Sequence, residues 1–269
     1  MSVEEKARFA EYQGRRIRLV EKRIIDRIHE ELESYARNAP MCSFLEGFSP
    51  VYFGAGRKRC YTRFDPLDGT DNALAGVDIA GFAMAITEEI SKEPHELMLG
   101  DFVNGVVGNL PNRKRLFYKI AENGASFGTD FDGEEYTLHT SGVRDTREGV
   151  ICFDAFSPKS TEHYNPEALG ELYTVLTREF RDLFRPRSAV FEVMSMLAPP
   201  SYEPYVLAYV APEQKTENIA ASIPIIKGAG GAVAYSDGPV DQRVDIVIAA
   251  NEAILERVLR LMENYKKKP

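Results

Sequence analysis

The chain has 269 residues, 44% apolar and 28% charged, which is the balance of a soluble globular protein with one large domain or two modest ones. Its formal net charge of −8 gives no basic field for nucleic acid or an acidic membrane, so neither partner is expected. Three scattered cysteines, a charged N-terminus and no long apolar run favour a cytoplasmic protein without disulfides or structural zinc.

The N-terminal half is predicted to contain one helix followed by an antiparallel sheet. Apolar residues recur at three- and four-residue steps over residues 15–37, which predicts an amphipathic helix. Apolar or alternating runs predict strands at 51–56, 60–65 and 78–89, and a β-meander at 102–128.

The C-terminal half alternates predicted strands with predicted helices, which favours an α/β arrangement. Ser, Gly and charged residues at 140–148 suggest a linker between the halves. We therefore expect an N-terminal domain over 1–144, with a helix and an antiparallel sheet, and an α/β domain over 145–269. The predicted strands are 149–156, 202–211 and 244–251, and the predicted helices are 166–184, 189–198, 217–231 and 252–268.

Three aspartates, Asp65, Asp68 and Asp71, lie within seven residues in the stretch "RFDPLDGTDNALAG". Asp, Pro, Gly and Asn also form ordinary turns, so a plain loop is one interpretation. The order of apolar strand, DPLDGT and helix favours another, because the strand end would fix Asp65 while the helix start would offer N–H groups near Gly69 and Thr70. Carboxylates beside an anion site indicate Mg²⁺ held by oxygen ligands together with a substrate phosphate.

Two stretches resemble the signatures of the inositol monophosphatase family, Mg²⁺-dependent and lithium-sensitive phosphatases related to fructose-1,6-bisphosphatase. "DPLDGTDN" (65–72) is similar to the first signature, DP-[I/L]-DGT-x-N, and "ENIAASIPIIKGAGG" (217–231) is similar to the second, WD-x-AA…EAGG. The resemblance covers roughly residues 15 to 262. It implies an α+β with α/β fold, layered as an αβαβα sandwich of the sugar phosphatase type, and a homodimer.

The resemblance also implies a role for each residue of the first signature. Asp65 would bridge two metal ions, the Leu67 carbonyl would bind the first, and Asp68 would bind the second. Gly69 and Thr70 would hold the phosphate through backbone N–H groups, and the Thr70 hydroxyl would help to orient an attacking water. Two or three Mg²⁺ ions would bind, with the second site weak.

Several departures from the family pattern fall on the chemistry itself. The family's second-signature aspartate is Asn218 here, which keeps an oxygen but loses the charge, and which is equally a good helix N-cap. The family's tryptophan is Glu217, either a compensating ligand or a solvated charge. Glu46 is either the family's glutamate metal ligand or a charge on a turn. Ile17 stands where a water-supporting aspartate is expected.

A second stretch resembles the family's substrate loop, R-x-x-G-[ST]-A. Arg185, Ser188 and Ala189 match it, with Ser188 in place of the glycine. Arg187 is either a contact for an anionic substrate or a surface arginine. Asp71 either attracts another cation or repels phosphate.

Two functions from different classes remain open on the sequence. The first is a Mg²⁺-dependent phosphomonoesterase acting on a small phosphorylated polyol, sugar or nucleotide. The second is a non-catalytic relative that binds a ligand or partner, suggested by the lost aspartates. A weaker third is different chemistry on the same fold, with Asp71 and Glu217 as new metal ligands.

Overall fold

The computed structural model places most of the chain in helices and strands that pack in layers. Within the described residues, no helix is both long and apolar enough to cross a membrane. The described residues are 9–12, 15–35, 40–45, 48–56, 58–75, 79–110, 116–119, 124–129, 132–154, 166–236 and 243–263.

The larger sheet has β5 (Cys60–Asp68) in its interior. On one side β5 pairs in parallel with β3 (Met41–Leu45), and on the other it pairs antiparallel with β6 (Ala80–Thr87). Partners on both sides hold β5 firmly, and all of its residues after Cys60 are buried. The remaining strands are β4 (Val51–Phe53), β7 (Phe102–Leu110), β8 (Leu116–Lys119), β9 (Ser126–Thr129) and β10 (Glu135–Thr137), and the sheet order is β10-β9-β8-β7-β6-β5-β3-β4.

The smaller sheet is mixed. Its strands are β11 (Val150–Phe153), β12 (Asp182–Phe184), β13 (Val206–Lys215), β14 (Ala232–Tyr235) and β15 (Arg243–Ala249). The sheet order is β12-β11-β13-β15-β14, and both neighbours of β11 run parallel to it. The carboxyl ends of these three parallel strands therefore lie at the same edge of the sheet.

Four helices differ from the sequence prediction, one of which, predicted over 189–198, ends at Met194. The first begins at Leu19 rather than residue 15, because β2 (Arg15–Arg18) pairs with β1 (Phe9–Tyr12) in a hairpin. The predicted helix 166–184 ends at Glu179, because the residues of β12 pair with β11. The predicted helix 217–231 is two short helices, and Pro224 lies in the first turn of the second, where its missing N–H costs little. The helices are α1 (Leu19–Tyr35), α2 (Thr70–Leu74), α3 (Pro166–Glu179), α4 (Ala189–Met194), α5 (Thr216–Ile219), α6 (Ser222–Gly228) and α7 (Glu252–Glu263).

The hydrophobic clusters define five layers. Ile25 of α1 packs with Leu45 and Phe64 on the outer face of the larger sheet. The largest cluster joins the inner faces of both sheets to α4, α5 and α6, which lie between them. A further cluster joins the outer face of the smaller sheet to α3 and α7. The order is therefore helix, sheet, helices, sheet, helices, which confirms the predicted αβαβα sandwich.

Alternation along β5 decides which residues face the middle layer. Phe64 packs in the outer cluster, whereas Tyr61 belongs to the central one. Because side chains alternate along a strand, Arg63 and Asp65 point to the same side as Tyr61. Gly105 of β7 shows how tightly that side is packed, since a Cβ there would lie 2.2 Å from the Ala221 carbonyl oxygen.

Candidate metal–phosphate site

The aspartate motif forms the end of β5 and the turn into α2. A bulge between Asp65 and Asp68 interrupts the pairing with β6, and both side chains are buried, at 3% and 6% exposure. Asp65 Oδ1 accepts a hydrogen bond from the Leu67 N–H (2.9 Å), and the Thr70 hydroxyl donates to the Leu67 carbonyl (2.8 Å). The motif thus fixes its own conformation and concentrates two carboxylates and a carbonyl at one place.

Gly69 is required where the chain leaves β5. Its φ of 78° lies in the left-handed region, which glycine adopts without steric cost. A Cβ there would lie 2.8 Å from the Ile79 carbonyl oxygen and 3.0 Å from the Ser188 Cβ. The absence of a side chain therefore lets the segment around Ser188 pack directly against the motif.

Asp68 ties the motif to the segment that resembles a substrate loop. Its Oδ2 accepts hydrogen bonds from the Ser188 hydroxyl (2.5 Å) and from the Val190 N–H (2.8 Å). The Ser188 hydroxyl also accepts from the Phe191 N–H and so caps α4. The sequence predicted both groups of residues, and the structure brings them together: Ser188 and Ala189 are buried against the motif, while Arg185 is exposed.

The backbone of that loop is left-handed at one residue. The match placed the family's glycine at Ser188, but Ser188 is extended, with a φ of −146°. The left-handed conformation falls one residue earlier, at Arg187, with a φ of 61°. Arg187 therefore occupies a conformation that glycine would favour.

Glu217 is engaged by an arginine of β5 that the sequence analysis had not singled out. Its Oε2 lies 2.9 Å from Nη2 of Arg63, and the two side chains are 13% and 9% exposed. Burial alone would raise the pKa of Glu217, but the nearby guanidinium outweighs it and holds that pKa below its usual value. Glu217 is thus the charge partner of Arg63 rather than a solvated charge, and its role as a compensating metal ligand stays a prediction. Asp71, the other suggested new ligand, is exposed.

Asn218 is not a helix cap. The N-cap of α5 is Lys215, and Asn218 lies in the first turn. Its Oδ1 is buried and has no hydrogen-bond partner in the described part of the chain. A buried carbonyl oxygen without a donor carries a desolvation cost, which a ligand such as a cation would remove. The Arg63–Glu217 pair holds this turn against β5, two residues before Asp65.

A second polar cluster extends behind Asp68. The Gln214 amide donates to Asp154 (3.0 Å) and to the Tyr209 hydroxyl (2.7 Å). Glu192 is fully buried, and burial, with the charges of Asp154 and Asp68, raises its pKa to about 9. Glu192 is therefore protonated at neutral pH, and the cluster carries less charge than its composition suggests.

Arg63 and Glu192 were not predicted as site residues, although the sequence contains a signal for both. Arg63 interrupts an apolar strand in "CYTRF", and Glu192 interrupts an apolar helix in "AVFEVM". A charged residue inside such a run is expected to be paired or neutralised when buried. Both behave accordingly, Arg63 by pairing and Glu192 by holding a proton.

Two predicted residues cannot be placed in the site. Glu46 lies outside the described residues, so its predicted role as a metal ligand stays a prediction. Ile17 lies in β2, and its side chain is likewise outside the described part.

The donor set contains oxygen ligands of the kind that Mg²⁺ takes in proteins, and the number of two or three ions stays a prediction. Across the described ranges, no group of three or more His, Cys, Asp or Glu side chains is placed to hold a metal. Mg²⁺ commonly takes only one or two carboxylates and completes its shell with water and substrate phosphate. Asp65 and Asp68 supply those carboxylates, and the unpartnered Asn218 oxygen is a neutral donor. The residues therefore fit Mg²⁺, with less charge than three carboxylates would provide.

Comparison with known proteins shows a clear structural likeness without a sequence match. No family model matches the sequence, and no curated protein is similar to it. Among solved structures, the IMPase of Thermotoga maritima matches with a TM-score of 0.68 and 17% identity, over 98% of this chain and 91% of that one. Mycobacterium tuberculosis SuhB matches with a TM-score of 0.66 and 19% identity, over 91% of this chain and 87% of that one. An IMPase/NADP phosphatase complexed with Mg²⁺ and phosphate matches with a TM-score of 0.67 and 15% identity, over 97% of this chain and 89% of that one.

These likenesses establish the class of fold. The chain has an inositol monophosphatase-type fold, shared with phosphatases over nearly its whole length and divergent in sequence. Divalent metal accompanies a member of this structural group, in the complex with Mg²⁺ and phosphate.

Proposed function

We propose that the protein is a Mg²⁺-dependent phosphomonoesterase that acts on a small phosphorylated polyol, sugar or nucleotide. The observation that carries this proposal is the buried pair Asp65 and Asp68, fixed at the end of an interior strand. A cation bound by both residues would offset the repulsion between two buried carboxylates three residues apart. The inositol monophosphatase-type fold supports the same conclusion.

The roles of the residues follow from the donor set. Asp65 and Asp68 would hold the ion, with the Leu67 carbonyl and the Asn218 amide oxygen as neutral donors. Bound Mg²⁺ supplies a Lewis acid that lowers the pKa of a water and offsets negative charge on the phosphate ester. Gly69 and Thr70 would contact the phosphate through their N–H groups, and the Thr70 hydroxyl would orient the attacking water.

The first prediction tests the metal site directly. With Mg²⁺ in the millimolar range, we expect turnover of at least one of inositol-1-phosphate, fructose-1,6-bisphosphate and 3′-phosphoadenosine 5′-phosphate. Asp65→Asn should lower kcat/KM by about 1,000-fold, because it removes one charge from the metal site and several kcal/mol of transition-state stabilisation. Release of inorganic phosphate, measured with Mg²⁺ and with EDTA, checks both expectations.

Asp71→Asn is the matched control, because Asp71 has the same chemistry six residues further along but is exposed. It should retain activity within about threefold of the wild type. Turnover that survives Asp65→Asn, or that EDTA leaves unchanged, would contradict the metal-dependent mechanism.

The alternative of a non-catalytic relative is favoured by one observation, the lack of a three-carboxylate cluster in the described residues. Asn218→Asp tests the metal site under either function. Restoring that charge should tighten Mg²⁺ binding by roughly tenfold, because the buried Oδ1 position then carries a charge opposite to the cation. Mn²⁺ titration monitored by electron paramagnetic resonance, with Mg²⁺ as the competitor, measures the affinity for Mg²⁺.

Phosphatase activity separates the two readings. If the wild type is inactive and Asn218→Asp together with Ile17→Asp produces a large gain of phosphatase activity, the protein has lost catalysis. Robust activity in the wild type would eliminate the non-catalytic alternative. An unchanged metal affinity would show that Asn218 is not a ligand.

A further inference from the structure

Arg187 has a backbone conformation that its side chain disfavours. Its φ of 61° lies in the left-handed region, where a residue with a Cβ is less stable than glycine by roughly 1–2 kcal/mol. Within the described residues, Glu213 is the other non-glycine residue with positive φ. A position of this kind persists only when the surrounding contacts determine it.

Hydrogen bonds fix the backbone on both sides of Arg187. Its N–H donates to Glu192 Oε1 (3.2 Å), and the Asn72 side-chain amide donates to the Pro186 carbonyl (2.7 Å). The next residue, Ser188, donates to Asp68 (2.5 Å). Asn72 and Asp68 both belong to the aspartate motif, so the loop is attached directly to the candidate metal–phosphate site.

Arg187 carries an exposed guanidinium on this loop. The residue is exposed, and no carboxylate in the described ranges lies within ion-pair distance of it. Burial raises the pKa of Asp154, and the positive charges of Arg185 and Arg187 partly oppose that rise. Two positive charges therefore lie near Asp154, the residue that follows β11.

We propose that Arg187 is a specificity-determining residue that binds a second anionic group of the substrate, a phosphoryl or carboxylate group away from the ester that is cleaved. This inference rests on the proposed function and narrows its substrate class to phosphate esters with two anionic groups. A planar guanidinium binds such groups through paired hydrogen bonds. The clamped loop reduces the entropy lost when the contact forms.

The test compares two substrates that differ by one phosphate. Fructose-1,6-bisphosphate and fructose-1-phosphate contain the same C1 ester, with and without a second phosphoryl group. The wild type should have a higher kcat/KM for the bisphosphate than for the monophosphate. Arg187→Gly should lower the ratio of these two values about tenfold, mainly by raising KM for the bisphosphate, because one charge-assisted hydrogen-bonding contact is lost. Glycine accommodates the left-handed backbone, so folding is preserved.

Two further variants sharpen the comparison. Arg187→Lys keeps the charge but not the paired geometry and should fall between the wild type and the glycine variant. Arg178→Ala removes an exposed arginine from α3 and should leave the preference unchanged. Replacing the bisphosphate with 3-phosphoglycerate tests a carboxylate as the second anion. An unchanged preference in Arg187→Gly, or no preference in the wild type, would overturn the proposal.

Equilibrium binding separates this proposal from the proposed activity. Inorganic pyrophosphate and inorganic phosphate are titrated calorimetrically at fixed free Mg²⁺. If no ester is hydrolysed, the proposed activity fails, yet pyrophosphate should still bind about tenfold more weakly to Arg187→Gly than to the wild type. Equal pyrophosphate affinities in the two proteins would refute the role of Arg187 whether or not hydrolysis occurs.

Discussion

Replacing Glu192 with glutamine should stabilise the protein at pH 8 by an amount on the order of a few kcal/mol. Burial and the charges of Asp154 and Asp68 raise the pKa of Glu192 to about 9, from an ordinary value of 4.5. Glutamine keeps the acceptor for the Arg187 N–H, and its amide takes the place of the protonated carboxyl without having to bind a proton.

The sign of the pH dependence follows from proton linkage. Between pH 4.5 and about 9 the folded state holds the Glu192 proton and the unfolded state does not. The contribution of Glu192 to stability is therefore fully present below pH 4.5 and falls by about 1.4 kcal/mol per pH unit through that window. Glu192→Gln should remove this slope, so the advantage of the variant grows as the pH rises.

Urea unfolding at several pH values between 5 and 9 measures both quantities. Glu171→Gln is the matched control, because Glu171 is exposed on α3 and should change stability by less than about 0.5 kcal/mol. A parallel pH dependence in the wild type and Glu192→Gln would show that Glu192 is ionised in the folded protein.

Arg63→Met should destabilise the protein by about 3–5 kcal/mol, because it leaves the Glu217 carboxylate buried without its partner. Arg63→Met combined with Glu217→Leu should recover most of that loss, since a buried ion pair can often be replaced by apolar side chains at little cost. The buried Arg63 Nε, which has no hydrogen-bond partner among the described residues, adds to the expected recovery.

Chemical denaturation of the single and double variants measures this coupling. Arg27→Met provides the control: Arg27 forms ion pairs with Glu30 and Glu31 on α1 but is 71% exposed, so its loss should cost less than about 1 kcal/mol. If the double variant is as unstable as Arg63→Met, the loss comes from packing around the arginine rather than from an unpaired charge.

Local sequence patterns predicted most elements but missed those that depend on distant partners. The strand ending at the aspartate motif and the helix beginning at residue 252 follow from short-range alternation and periodicity; the strand is present, and the helix is present over Glu252–Glu263. Strand β12 was predicted as the end of a helix, because its pairing with β11 lies outside any local window. Strand β2 was missed because Ile17 fits the three- and four-residue steps of the helix that follows, so residues 15–18 were assigned to that helix.

The sequence by itself determined the crowding of Asp65 and Asp68 and, through the two signatures, the layered fold. Only the tertiary structure decided the state of the charges. Arg63 meets Glu217 from 154 residues away, and Ser188 meets Asp68 from 120 residues away. Burial and partner distance set the free energy of a charge, and both depend on packing between layers rather than on neighbours along the chain.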